Sequence, residues 1–304
     1  YFIIQQEMSL GGLITFVSYV GMLFGPIISI TNIFSQINNA TISVDRFDDI
    51  MKQVPIVHDE VDSKPIIHFD EIEFKNVTFK YPFDKQPVIK NISFSIKNGQ
   101  TLGIVGPTGA GKSTLIRQLL REFNVTDGQV YIDGSSIETY QIEAIRHLVG
   151  YVPQSHMLFK RSVEDNILIG NPQASHDAFD KAVKIADFQK DLHYLQNDIQ
   201  TMVGESGATL SGGQKQRLSI ARALIKDPEI LILDDSLSAV DAKTEDTIIG
   251  HLKDFRKGKT NIIVAHRFSA VRDADLILVL ENGKITQRGT HDELLRVDGW
   301  YKHQ

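Results

Sequence analysis

The chain contains no cysteine, so neither a disulfide framework nor a thiolate metal site can belong to it. It also lacks a basic excess, since 32 Lys and Arg stand against 38 Asp and Glu for a formal net charge of −6. A surface of that sign does not gather a phosphate backbone by charge alone, which argues against nucleic acid as a partner. Low-complexity tracts and internal repeats are missing too. With 42% hydrophobic and 23% charged residues over 304 positions, the composition is that of an ordinary globular protein of one large or two smaller domains. The start at Tyr1 lacks the basic run of a signal peptide, so the sequence reads as a piece of a longer chain. One further absence is local: no charged residue occurs from Met8 to Val44.

That uncharged stretch opens with LGGLITFVSYVGMLFGPIISITNIF, Leu10 to Phe34. About 20 apolar residues suffice for a helix to cross a bilayer. A buried helix of a soluble protein is rarely this long without a charge, and glycine and Pro26 are better tolerated in spans than in soluble helices. A membrane span is therefore expected. The segment DRFDDIMK that follows is more acidic than basic and does not orient it. Gln36 to Lys52 reads as a helical continuation, and VPIVHDEVDSKP, with two prolines and mixed charge, as a linker. The expected division is 1–50 for the membrane part, 51–65 for the linker and 66–304 for a second domain.

Beyond residue 66, FDEIEFKNVTFKY and NISFSI alternate with period two, as half-buried antiparallel strands do. From TLGIVG onward, short apolar strands alternate with helical stretches, the pattern of an α/β nucleotide-binding core. LILVLENGKITQRG predicts a hairpin turning at Asn282-Gly283.

GPTGAGKST, Gly106 to Thr114, fits G-x-x-x-x-G-K-[ST] between an apolar strand and a helix. In that setting Gly106, Thr108, Gly109, Ala110 and Gly111 turn backbone N–H groups toward phosphate oxygens. Lys112 reaches the outer phosphates, while Ser113 offers its hydroxyl to Mg²⁺ and Thr114 continues into the helix. EILILDD supplies a buried strand ending in Asp234, placed to hold Mg²⁺ beside that loop. An acid at a strand end can also be a helix cap, but the loop motif upstream favours the metal.

LSGGQKQRLSIARALI lies between these motifs, and with it the whole of residues 66–304 resembles the ATPase domain of ABC transporters. The resemblance implies a P-loop NTPase core of ABC type with an antiparallel β subdomain and a helical subdomain, binding ATP and Mg²⁺. Ser211, Gly212, Gly213 and Gln214 are similar to the family's signature, which acts at a helix N-terminus on ATP held by a second subunit. Gln154 in YVPQ resembles the glutamine that contacts Mg²⁺ and couples to the membrane part. Tyr81 resembles the aromatic that stacks on adenine, and His266 the switch histidine beside the γ-phosphate. Glu205 in TMVGESG resembles a segment that meets the partner's intracellular loops, and Asp241 in SAVD the loop that crosses the dimer interface. YFII and QQEMS are similar to the end of an exporter's fifth span and its outer loop, and Leu10–Phe34 to its sixth span. The resemblance implies a multi-pass protein of the cell membrane, with the ATPase domain cytoplasmic.

The departure from the family pattern is Asp235, where a glutamate normally polarises the attacking water. One methylene less shortens the reach by about 1.5 Å, large against the 2.6–3.2 Å (roughly) within which a base must meet its proton. This resembles the degenerate subunit of heterodimeric bacterial exporters, whose own site is slow. Two alternatives stay open: a homodimeric exporter in which Asp235 works, and a soluble ABC ATPase, which does not explain residues 8–44. The cargo, whether small molecule, lipid or peptide, is not legible.

Overall fold

The structure is a computed structural model that describes residues 9–53 and 55–304. The expectations for YFII and for most of QQEMS lie outside the described residues. Two compact units divide between Pro55 and Ile56.

Among the described residues, the first unit is one helix, α1 (Leu10–Met51). Ser9 caps it, its Oγ accepting from the Gly12 N–H at 3.1 Å. The expected span and the expected continuation from Gln36 form this single element, and Pro26 sits inside it without ending it. Six of its hydroxyl side chains, Thr15, Ser29, Thr31, Ser35, Thr41 and Ser43, each donate to the carbonyl four residues earlier, a bond available to them in an apolar surrounding. By length and composition α1 can cross a membrane. At ~1.5 Å per residue it extends about 63 Å, roughly twice the hydrocarbon thickness.

The second unit begins with strands β1 (Glu71–Phe79) and β2 (Ile89–Lys97), which pair antiparallel. Then come β3 (Thr101–Val105), α2 (Lys112–Leu119), β4 (Asp127–Ile132) and the short β5 (Ser135–Ser136). α3 (Ile142–Leu148) leads into β6 (Val149–Val152), followed by the helices α4 (Val163–Leu168), α5 (His176–Ile185) and α6 (Gln189–Leu192). The chain closes with α7 (Gly212–Leu224), β7 (Ile230–Asp234), α8 (Ala242–Phe255), β8 (Thr260–Val264), β9 (Leu276–Glu281), β10 (Lys284–Gly289) and α9 (His291–Arg296). One sheet has the order β2-β1-β4-β5 and is antiparallel; the other runs β10-β9-β3-β8-β7-β6, parallel but for β10. The β9–β10 turn is at Asn282 and Gly283, both with positive φ, as the hairpin signal required.

The parallel strands are buried on both faces, which is why they read as continuous apolar runs. Their alternate residues feed two cores. Val105, Leu231, Leu233 and Ile263 face the helices α4, α5, α7 and α8. Leu102, Ile104, Ile230, Ile232 and Ile262 face α2, α3 and the antiparallel sheet. The stretch read as a linker is held in part on this unit: the Asp59 carboxylate accepts from the Ile142 N–H at 2.8 Å, and Lys64 exchanges main-chain bonds with Thr139 and Gln141.

Candidate nucleotide site

Because β3, β8, β7 and β6 are neighbours in that order, the residues just past their carboxyl ends converge. They line a cleft of about 270 Å³ formed by Val88, Thr108–Thr114, Gln154, Asp234, Asp235, Val264 and His266. Ligands of open α/β sheets bind at this end of the strands.

The loop after β3 needs its glycines. Gly106 has φ +146, and a Cβ there would lie 2.0 Å from the Leu280 carbonyl oxygen. Gly111 has φ +97 and backs onto Ile89, whose Cδ1 would be 2.9 Å from a Cβ. The loop delivers Lys112, the first residue of α2, to a buried position where Nζ donates to the carbonyls of Gly106 at 2.8 Å and Pro107 at 3.1 Å. Burial pulls the Lys112 pKa below its ordinary value, with Asp235 and Asp234 pulling the other way.

Asp234, 2% exposed, closes β7. Its Oδ1 accepts from the Ser113 hydroxyl at 2.8 Å and its Oδ2 from the Tyr151 hydroxyl at 3.0 Å. Burial and then the adjacent carboxylate push the Tyr151 phenol well above its usual range, so that it stays a donor. Ser113 Oγ, the Asp234 carboxylate and the Gln154 amide oxygen form a set of hard oxygen donors at the mouth of the phosphate-type loop. That donor set fits Mg²⁺, which prefers one or two carboxylates completed by phosphate and water.

Asp235 adopts φ +49, a left-handed conformation that aspartate tolerates better than most residues. Its N–H donates to Val264 at 2.9 Å, and its Oδ2 accepts from Gln154 Nε2 at 3.1 Å. His266 Nε2 lies 3.8 Å from the same oxygen, beyond a hydrogen bond. The histidine stands two residues past the end of β8, whose strand pairing ends at Val264. Tyr81 does not line the cleft. It packs edge-on against Phe79 and Phe123 at 4.8 and 5.2 Å between ring centroids, and its hydroxyl is 3.2 Å from Thr114 Oγ1.

Ser211 and Gln214 form a capping box at the start of α7, with the serine Oγ accepting from the Gln214 N–H and Gln214 Oε1 accepting from the Ser211 N–H. None of Ser211–Gln214 lines the cleft. A Cβ on Gly213 would lie 3.3 Å from Arg217 Nη1, and Arg217 makes a buried two-pronged pair with Asp191 of α6 at 2.6 and 2.8 Å. Asp241 caps α8 by accepting from Thr244, and Glu205 is an exposed residue 3.8 Å from Lys160. Sequence reasoning missed Tyr151, the Asp191–Arg217 pair and the bond from the Ala239 N–H to Gln216 Oε1 at 3.1 Å. Only Tyr151 carried a signal, an aromatic in the strand leading directly to Gln154.

Residues 89–238 match the ABC transporter family profile. Along its full length the chain is 45% identical to the probable multidrug resistance ABC transporter ATP-binding/permease protein YheI of Bacillus subtilis, covering 52% of that protein. Over 99% of its length it is 37% identical to the multidrug resistance-like ATP-binding protein MdlA of Escherichia coli, covering 51% of it. The chain thus spans about half the length of the curated relatives it matches. Among solved structures, a bacterial Atm1-family ABC exporter with ATP bound superposes with a TM-score of 0.87 at 34% identity, over 97% of this chain and 52% of that one. The second unit therefore has the fold of an ABC-type ATPase.

Proposed function

We propose that this chain is the ATP-binding and ATP-hydrolysing half of an ABC exporter of the multidrug type, working with a second half-transporter as a heterodimer in the cell membrane. Residues 1–50 then end the membrane part, 51–65 link it to the motor, and 66–304 form the cytoplasmic ATPase, with a small molecule, lipid or peptide as cargo. The observation that carries this reading is the cleft in which Lys112, Ser113, Gln154, Asp234, Asp235 and His266 converge while the Ser211 helix start stays outside it.

In this reading the Lys112 ammonium exchanges its carbonyl partners for phosphate oxygens, and the N–H groups of Gly109–Ser113 complete the cradle. Tyr81 stacks on the adenine, which extends beyond the phosphate cleft. Ser113, Asp234 and Gln154 hold Mg²⁺, which when bound offsets phosphate charge. A water aligned by Asp235 and His266 attacks the γ-phosphorus, the bond to the β–γ bridging oxygen breaks, and the water's proton passes to the carboxylate. Asp235 reaches one methylene less far than glutamate, so this site holds ATP and cleaves it slowly. Ser211–Gln214 complete the partner's faster site, and closure of the two domains on ATP drives the spans outward. The test is phosphate release by the full-length protein with and without its partner. Rapid turnover by this chain alone would overturn the heterodimer reading, and no turnover in either case the ATPase reading.

A further inference from the structure

Glu245 is a carboxylate buried to 1% exposure in α8, one turn beyond the Asp241 cap and outside the nucleotide cleft. Burying such a charge is costly unless every lone pair finds a donor, and both donors come from the segment that follows His266. Ser269 donates its hydroxyl to Glu245 Oε1, and Arg267 Nη1 donates to Oε2 at 3.1 Å. The same Arg267 nitrogen donates to the Val240 carbonyl at 3.2 Å. The neighbouring Ala239 is held from the other side by the fully buried Gln216 of the Ser211 helix. Two consecutive residues of the 238–241 loop are thus gripped by the helix of Ser211 and by the residue next to His266.

Packing supplies only part of this hold, although Leu237, Val240 and Ala270 are buried in the core. A cavity of about 60 Å³ lies behind the segment, with Asp235, Leu237, Glu245, His266 and Arg267 in its wall, and side chains beside a void are not fixed by contact. The hold matters because His266 Nε2 stands 3.8 Å from Asp235 Oδ2, so a shift of about 0.6 Å or more decides whether the imidazole bonds to the carboxylate or stays free of it. We infer that Glu245, acting through Arg267, is a positioning residue that sets where His266 stands relative to Asp235 and ties that setting to the 238–241 loop. The inference rests on the ATPase reading above.

The test uses the full-length protein in its membrane assembly and reads this chain's own site. 8-Azido-ATP labelled at the α- or the γ-phosphate is crosslinked by light after timed incubation. The α label retained on the chain gives affinity, and the loss of γ relative to α label gives the local cleavage rate. Glu245→Gln is expected to leave affinity within twofold and to slow cleavage roughly ten- to a hundredfold, the scale of a misplaced reacting group. In the His266→Ala background the same change should add less than twofold, since it acts through the missing imidazole. Arg267→Lys, a half-exposed change that keeps the charge, should repeat the pattern and serves where Glu245→Gln does not fold. Equal losses of affinity and rate, no loss of rate, or a full multiplicative loss in the His266→Ala background would each overturn the proposal. If the wild-type chain retains all its γ label, cleavage at this chain's own site falls and this inference with it, and the ATPase reading falls too where the assembled pair releases no phosphate; wild-type cleavage with any of those three results removes this inference alone.

Discussion

Gln154 donates from Nε2 to Asp235 Oδ2 at 3.1 Å, and so joins the strand end of β6 to that of β7 across the mouth of the cleft. The carboxylate is thereby directed along the cleft wall, with His266 on the same oxygen's side. In the assembled pair, Asp235→Asn is expected to lower steady-state phosphate release little, since the rate lost belongs to the slow site. Asparagine accepts the left-handed backbone as readily as aspartate, so the change is chemical rather than conformational. A fall of about a hundredfold or more, the worth of a working general base, would show that Asp235 is the base of a fast site.

Among the described residues, Lys112→Ala removes the one ammonium group lining the cleft. Charge-assisted bonds are worth roughly 1.5–3 kcal/mol each, so ATP affinity of the full-length protein should fall by about ten- to a hundredfold or more in equilibrium binding with a fluorescent ATP analogue. Unchanged affinity would mean that the phosphates lie elsewhere.

Ser211→Arg places a long cation on a helix start outside the chain's own cleft. Turnover of the assembled pair should be abolished while this chain, assayed without its partner, binds ATP as before. Loss of binding in the lone chain would contradict action on a second subunit's nucleotide.

His156 is half-buried beside Arg222 and Lys215, and burial first, then those two cations, lower its pKa from the ordinary value. The unfolded chain then binds the proton more readily than the folded one. Stability contributed by neutral His156 is complete above about pH 6.5 and is lost as pH falls below it. Urea melts between pH 7.5 and 5 should show less acid sensitivity in His156→Gln than in wild type; equal pH slopes would refute this assignment.

The phosphate-loop strand, the β1–β2 pair, the Asn282-Gly283 hairpin and the long apolar helix were all legible because each rests on local chemistry: alternation, turn residues or an unbroken apolar run. The convergence of Asp234 with Ser113 was legible through the phosphate-loop motif upstream rather than through the strand itself, since it depends on β8 lying between β3 and β7, which no local pattern encodes. Glu245, Arg267 and Gln216 were invisible for another reason. A glutamate in a polar-faced helix and an arginine after a strand read as solvated, and their burial and pairing exist only once α7, α8 and the 238–241 loop are packed together.

The two-pronged Asp191–Arg217 bond has a mechanical meaning. Removing one partner of a buried pair typically costs about 3–5 kcal/mol, so α6 and the front of α7 are cross-linked by a contact that is costly to lose. The guanidinium is wedged directly under Gly213, at the start of α7. A displacement of α6 is therefore expected to reach Ser211 and its glycines through Arg217.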